Sequence, residues 1–332
     1  MTVSSTVLTT AGPAGEGLRR GALLGLAAAG AWAAVAATAG LLPDVGDWPE
    51  TTNFAVGAAV IAAAIALATL AQGLAPELAR WLVRKSPWLI VIGLFLALWQ
   101  LASAKLGWLP QPFFPPPQAL VEVYAYDYAD LGVNLLASFR LLAVGFVYGG
   151  IAGFLTGIAL GWSSHAAYWI HPILRFVGPL PSTALLPIIF FAFPSSWSAS
   201  IFMIALAVAF PMAVLTWSGV ASVNTAYYDV ARTLGVKPLA LIIKVAIPAA
   251  LPHVFVGLFM ALGAAFSSVM VAELLGVKAG LGFYVQWSQG WGSYNNVYAA
   301  IIVLALLCSS SITVLFKIRG RMLSWQKGLV KW

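Results

Sequence analysis

Two charged side chains stand well inside long apolar runs: Arg140 and Glu273. A charge held in hydrocarbon costs roughly 2.5–3.5 kcal/mol on insertion scales, so it is kept for pairing, for a polar pathway or for reaching water. Arg140 falls about six residues, or roughly 9–10 Å, from the outward end of its run, and Glu273 lies near the outward end of its own. The two could pair, snorkel to the interface, or meet a solute or gate. Ser267 and Ser268 lie one to two turns below Glu273 and could line the same cavity. Ser182 and Thr183 sit in a run broken by Pro179, Pro181 and Pro187. Proline frees backbone carbonyls that must find protein or water, so this segment is either a kinked core helix or part of a pathway. His165 and His171 are six apart, whereas ligands on one helix face want a spacing near three or four, so no metal site is expected. There is no phosphate-binding glycine loop, no nucleophile elbow and no catalytic carboxylate pair. These residues could make a polar path and a few contacts, but they carry no catalytic engine.

The elements that must position them follow from composition. The chain has 332 residues with 8% charged, 61% hydrophobic and 17 Lys plus Arg against 10 Asp plus Glu. Average soluble chains carry roughly 25% charged residues. So few charges exclude an ordinary soluble enzyme, a disordered chain and a disulfide scaffold; the lone Cys308 excludes an intrachain bridge. Eight apolar runs read as spans: 21–42, 54–75, 88–106, 134–161, 173–193, 198–220, 253–275 and 297–316. The first, at 22 residues, exceeds a signal-peptide core and reads as a span. Strand alternation is absent. The expected fold is all-α: a polytopic transmembrane bundle of about eight helices, two of them an extra N-terminal pair.

Alternating the spans from a cytoplasmic N-terminus places 14 of the 17 basic residues inside, while Asp44, Asp47, Glu50, Glu122, Asp127 and Asp130 fall outside. This is the positive-inside pattern, with both termini cytoplasmic. The excess of seven positive charges is therefore topological. The basic tail 318–332, with Trp325 and Trp332, reads as a membrane anchor, and no nucleic-acid partner is expected. Lys105 and Lys278 lie at the outer edge.

Residues 1–20 read as a disordered tail. Residues 21–87 hold the extra pair and a basic linker from Pro76 to Pro87; 88–133 hold a span and a proline-dense, stiff outer loop starting at Gly107. Residues 134–317 form the core. Its first helix carries Gly145, Gly149, Gly153, Gly157 and Gly161, each four apart, a stripe that lets helix backbones approach.

The segment 222–249 is longer than a connection between spans requires. Asn224 or Thr225 can cap a short helix, Gly235 can end it in a left-handed turn, and Pro238 suits the start of a second helix that Pro248 stops. A helix–turn–helix finger into the cytoplasm follows; a hairpin lying on the membrane is the alternative. The segment resembles the EAA loop in permease subunits of bacterial ABC importers. That family's pattern is Glu-Ala-Ala, three residues, Gly, nine residues, Ile, one residue, Leu-Pro. Asp229, Val230 and Ala231 stand for the triplet, Gly235 for the glycine, and Val245, Ile247 and Pro248 close the motif. Ser138–Phe146, Pro181–Pro187, Ala272–Gly276 and Gly280–Tyr284 look like the branch that imports sulfonates, taurine and nitrate. The likeness runs from about Asn134 to Phe316.

The resemblance implies a multi-pass permease of the bacterial plasma membrane, importing a small anion such as an organosulfonate or nitrate by alternating access. It implies that Asp229, Val230, Ala231, Arg232, Gly235 and Pro248 form the coupling loop to ABC ATPase subunits. It also implies a second permease subunit, normally an identical copy, and a periplasmic or lipid-anchored solute-binding protein. ATP and Mg would be bound by the ATPase and no cofactor by this chain. Arg140, Ser182, Thr183, Ser267, Ser268 and Glu273 are the candidate pathway residues. A secondary transporter should carry midplane carboxylates and repeat symmetry, and a membrane enzyme a catalytic cluster; neither is found.

Overall fold

In a bilayer, backbone polar groups must be satisfied within the chain, so long apolar runs become helices. The computed structural model describes residues 14–178 and 180–326, and among these there is no strand. Among the described residues, seven helices are long and apolar enough to cross a membrane, or eight if one bent pair counts as a span. The chain divides into two compact units. One holds residues up to Tyr128 together with Gly292–Ala299, and the other holds Ala129–Trp291 together with residues from Ala300 onward.

The first unit is built on α1 (Ala14–Leu41), α2 (Thr51–Ala71), α3 (Pro76–Gln100) and α4 (Pro117–Tyr126). Helix α1 packs on both α2 and α3. Its approach to α3 is close at Gly93, where an added Cβ would stand 3.1 Å from Ala31 Cβ. Beside it the Trp32 indole donates to the Leu89 carbonyl at 3.1 Å. Helix α3 ends in a π-turn, Leu101–Lys105. The wide turn leaves Ala104 O free to accept from Val45 N at 2.8 Å. The side chain of Lys105, 3% exposed, pairs with Asp44 Oδ1 at 2.8 Å. Its other two protons go to Ala39 O (3.0 Å) and Leu42 O (2.6 Å), carbonyls at the C-terminal end of α1. Asp44 also accepts from Thr51 Oγ1 at 2.9 Å. Nearby, buried Glu50 accepts from Asn53 Nδ2 and Tyr126 Oη. The side chain of Lys105 is thus enclosed, and the acidic loop of the extra pair is partly folded into its unit.

Three expectations change here. Residues 14–20 are helical, since α1 begins at Ala14; residues 1–13 of the expected tail lie outside the described residues. The expected linker 76–87 is the start of α3, because Pro76 sits where a helix tolerates proline, and Pro87 is accommodated within the helix. The stiff loop from Gly107 contains α4, which Pro117 opens in the same way.

The second unit runs through α5 (Tyr128–Trp162), α6 (Ser164–Val177), a 3-10 turn (Ser182–Leu185), α7 (Leu186–Ala192), α8 (Ser196–Ala221), α9 (Thr225–Thr233), α10 (Pro238–Leu241), a π-turn (Ile242–Ala246), α11 (Ile247–Leu275) and α12 (Leu281–Gly290). It closes with the larger part of α13 (Tyr294–Met322). Its core is made by Leu141, Leu142, Ile204, Val208, Ala261 and Val269. All five stripe glycines of α5 face α8. An added Cβ at 145, 149, 153, 157 or 161 would stand 2.5–2.7 Å from Ile204, Val208, Met212, Thr216 or Val220 in turn.

The span 173–193, expected to be kinked or broken at its prolines, is a pair of helical pieces, Ser164–Val177 and Ser182–Ala192, bent by 84°. Pro181 is extended (φ −58°, ψ 127°) and cannot continue a helix. Pro179 lies outside the described residues, as do Lys327, Lys331 and Trp332 of the basic tail. Pro248 does not stop the finger's second helix. The preceding π-turn, closed by Ile247 N donating to Ile242 O, widens the backbone so that the chain runs helically into α11.

Candidate functional site

The proline break in the second unit opens a cavity of about 530 Å³. Its walls come from Gly153 and Thr156 of α5, Leu174 and Val177 of α6, Phe210 of α8 and Met260 of α11, among others. Four residues singled out from the sequence meet here: Ser182, Thr183, Ser267 and Ser268. Ser182 Oγ and buried Ser268 Oγ are 3.0 Å apart, joining the broken segment to α11. Among the described residues, no charged side chain lines the cavity. Its polarity comes from hydroxyls, which can donate and accept and so can pass a polar solute without an ion pair.

Arg140 and Glu273 are not in its wall, and they do not pair. Arg140 is exposed and forms no ion pair among the described residues. Glu273 is 1% exposed and serves α12. Its Oε2 accepts from Ser138 Oγ (2.9 Å) and from Gly282 N (2.8 Å), while Ser138 Oγ accepts from Leu281 N (2.8 Å). Asn134 Oδ1 takes Gly280 N at 2.9 Å. Three otherwise orphaned amides at the start of α12 are thus capped by side chains from α5 and α11. The glycines are required by this closeness. Gly280 has φ +123°, and a Cβ on Gly282 would stand 2.8 Å from that of Glu273. The sequence left Glu273 to pair, to snorkel or to meet a solute, because the amides of a helix start cannot be seen as partners until α12 is known.

At the far end of α8, α9 makes the finger. Asn224 Oδ1 caps it by accepting from Ala226 N at 2.9 Å. It ends in a Schellman turn: Val236 N donates to Ala231 O (3.1 Å) and Gly235 N to Arg232 O (2.9 Å), with Gly235 at φ +75°. Asp229 and Arg232 form an exposed i,i+3 pair at 3.4 Å. Tyr227, Val230 and Leu234 are 64%, 61% and 77% exposed, an uncovered apolar stripe at helical spacing.

Sequence reasoning passed over two residues that line a second cavity, His171 and Arg175. Their spacing of four on one helix was the available signal. In the sequence Arg175 is one of the 14 basic residues on the inside, and His171 bears only on a metal site.

The second unit is an apolar helical bundle with a hydroxyl-lined cavity. Its family is shown by comparison: residues 149–323 match the binding-protein-dependent transport system inner membrane component family, and the chain belongs to it. SsuC of Escherichia coli (strain K12), named for aliphatic sulfonates transport, is 31% identical over 70% of this chain and 89% of its own length. NrtB of Synechococcus elongatus, a nitrate import permease, is 28% identical over 67% of this chain and 84% of its own. CmpB of a Synechocystis strain, of a bicarbonate transport system, is 32% identical over 67% and 81%. A solved structure of the MetNI methionine ABC transporter is 18% identical, with a TM-score of 0.46 over 59% of this chain and 95% of that one. The chain is therefore an ABC importer permease of the sulfonate and nitrate branch, a multi-pass protein of the bacterial inner membrane. It is a transport component and not an enzyme.

Proposed function

We propose that this chain is the pore-forming half of an ATP-driven importer for a small oxyanion, working by alternating access. The relatives named for sulfonates, nitrate and bicarbonate share that solute chemistry. The positive-inside distribution of the basic residues supports a cytoplasmic finger and cytoplasmic termini. The observation that carries the reading is the finger itself. A nine-residue helix capped at both ends, with an apolar stripe exposed, is a rigid docking element. It is held on α11 through a continuous helical run from Pro238 to Leu275, and that run also supplies Ser267 and Ser268 to the cavity.

In this mechanism Asp229, Val230, Ala231, Arg232 and Gly235 enter a cleft on an ATPase subunit, which binds ATP and Mg. Closure of the ATPases pushes the finger, and α11 transmits the push to the cavity. A second copy of this chain would complete the pore; the exposed Phe176, Ile188 and Phe191 beside the proline break suit such a contact. A solute-binding protein delivers the oxyanion from outside. Leu234→Asp tests the coupling. Leu234 is 77% exposed, so the change leaves the fold intact while placing a charge in the stripe. Co-purification of the ATPase should fall at least about tenfold, the scale of one interface residue losing more than ~1.4 kcal/mol. Unchanged co-purification and uptake would remove the finger from the mechanism.

A further inference from the structure

A second cavity, of about 300 Å³, adjoins the first. His171, Leu174, Arg175, Phe210, Val214 and Trp217 line it, and Leu174 and Phe210 belong to both. On α8 the first cavity touches Leu206–Ala213, whereas Trp217 is one turn from the helix end at Ala221. The second cavity therefore lies on the α9 side of the first. His171 and Arg175 are four apart on α6 and share a face. The His171 ring meets Trp217 edge-on at 4.4 Å and 71°, which fixes its place in the wall. Arg175 makes no ion pair among the described residues, and neither α6 nor α8 contains an Asp or Glu. Arg175, exposed at the wall of the second cavity, thus has no carboxylate partner among the described residues, and the adjoining cavity is furnished with hydroxyls.

We infer that Arg175, with His171 beside it, receives the oxyanion at the finger-side mouth of the cavity, and that Arg140 takes no part in binding. Arginine offers paired N–H donors that match two oxygens of a sulfonate, nitrate or bicarbonate, and imidazole adds a further donor. A neutral cavity followed by a cationic mouth draws an anion inward without holding it in the middle. The inference takes its solute class from the oxyanion reading above and is independent of the finger's coupling role.

The test is uptake by cells expressing the whole importer, with labelled nitrate, ethanesulfonate and bicarbonate as probes at concentrations below saturation. Arg175→Gln should lower uptake of the transported probe by roughly 10- to 100-fold, the loss of one charge-assisted contact, with ATPase co-purification unchanged. Arg175→Lys should recover part of it, and Arg140→Gln should stay within about twofold of the parent, because Arg140 lines neither cavity. Wild-type uptake by Arg175→Gln, or a loss in Arg140→Gln instead, overturns the inference. So does a loss of co-purified anionic lipid with uptake unchanged, which would give Arg175 to a lipid headgroup. Failure of the parent importer to take up any of the three probes overturns the oxyanion reading and this inference with it. If Leu234→Asp keeps full uptake while Arg175→Gln loses it, the coupling reading fails and this one stands.

Discussion

Gly149→Leu should unfold or mispack the second unit, while Gly150→Leu, one residue away, should be tolerated. A Cβ at Gly149 would stand 2.7 Å from Val208 Cβ and 2.8 Å from Ala205 Cα, so the backbone of α8 itself must move. At Gly150 nothing lies within 4 Å of the same atom. Overpacking a tight core costs typically 1–3 kcal/mol, and a clash with backbone that no rotamer relieves belongs at or above about 3 kcal/mol. The seam matters because α5 and α8 both supply cavity walls, at Thr156 and Phe210. Thermal unfolding of the detergent-solubilised protein, followed by size-exclusion profile, should show Gly149→Leu lowered by roughly 10 °C or aggregated, at about 2–4 °C per kcal/mol for large domains. Gly150→Leu should match the parent. Equal behaviour of the two variants would mean that the stripe is not a packing seam.

Lys105→Met should cost the first unit nearly as much. The ammonium has a partner for each of its three protons, and its side chain is 3% exposed. Removing it leaves Asp44 without its counter-charge and frees two carbonyls at the end of α1. Breaking one partner of a buried pair typically costs about 3–5 kcal/mol. Replacing both partners costs less, because no uncompensated charge remains. The double variant Asp44→Asn with Lys105→Met should therefore be more stable than Lys105→Met alone, a non-additivity that a thermal unfolding series reads directly. Additive losses would show that the two groups do not act as a pair.

Much of this architecture is legible in the residues. Apolar runs longer than a bilayer crossing give the spans, since hydrocarbon leaves a chain few alternatives. The glycine stripe is visible because helical spacing alone decides which side it faces. The finger is visible because Asn224, Gly235 and Pro238 each have a local reason to be where they are. What is not legible depends on contacts distant in sequence. Glu273 caps α12 from nine residues before Gly282, and Ser138 joins it from 135 residues away. Lys105 reaches back 66 residues to Ala39. Pro248 was read as a stop because a π-turn has no sequence signal of its own, yet that turn lets the helix pass through. Arg175 was absorbed into a count of inside charges, and only the cavity wall gives it a neighbourhood.

The central claim is that movement through the hydroxyl-lined cavity is driven by a partner's ATP hydrolysis. It is tested most directly in vesicles holding this chain with its ATPase and solute-binding protein, supplied with labelled nitrate or ethanesulfonate. Uptake should require ATP on the finger side and should persist when proton and sodium gradients are collapsed. Uptake driven by an imposed ion gradient, with no ATP present, would contradict the account and make the protein a secondary carrier.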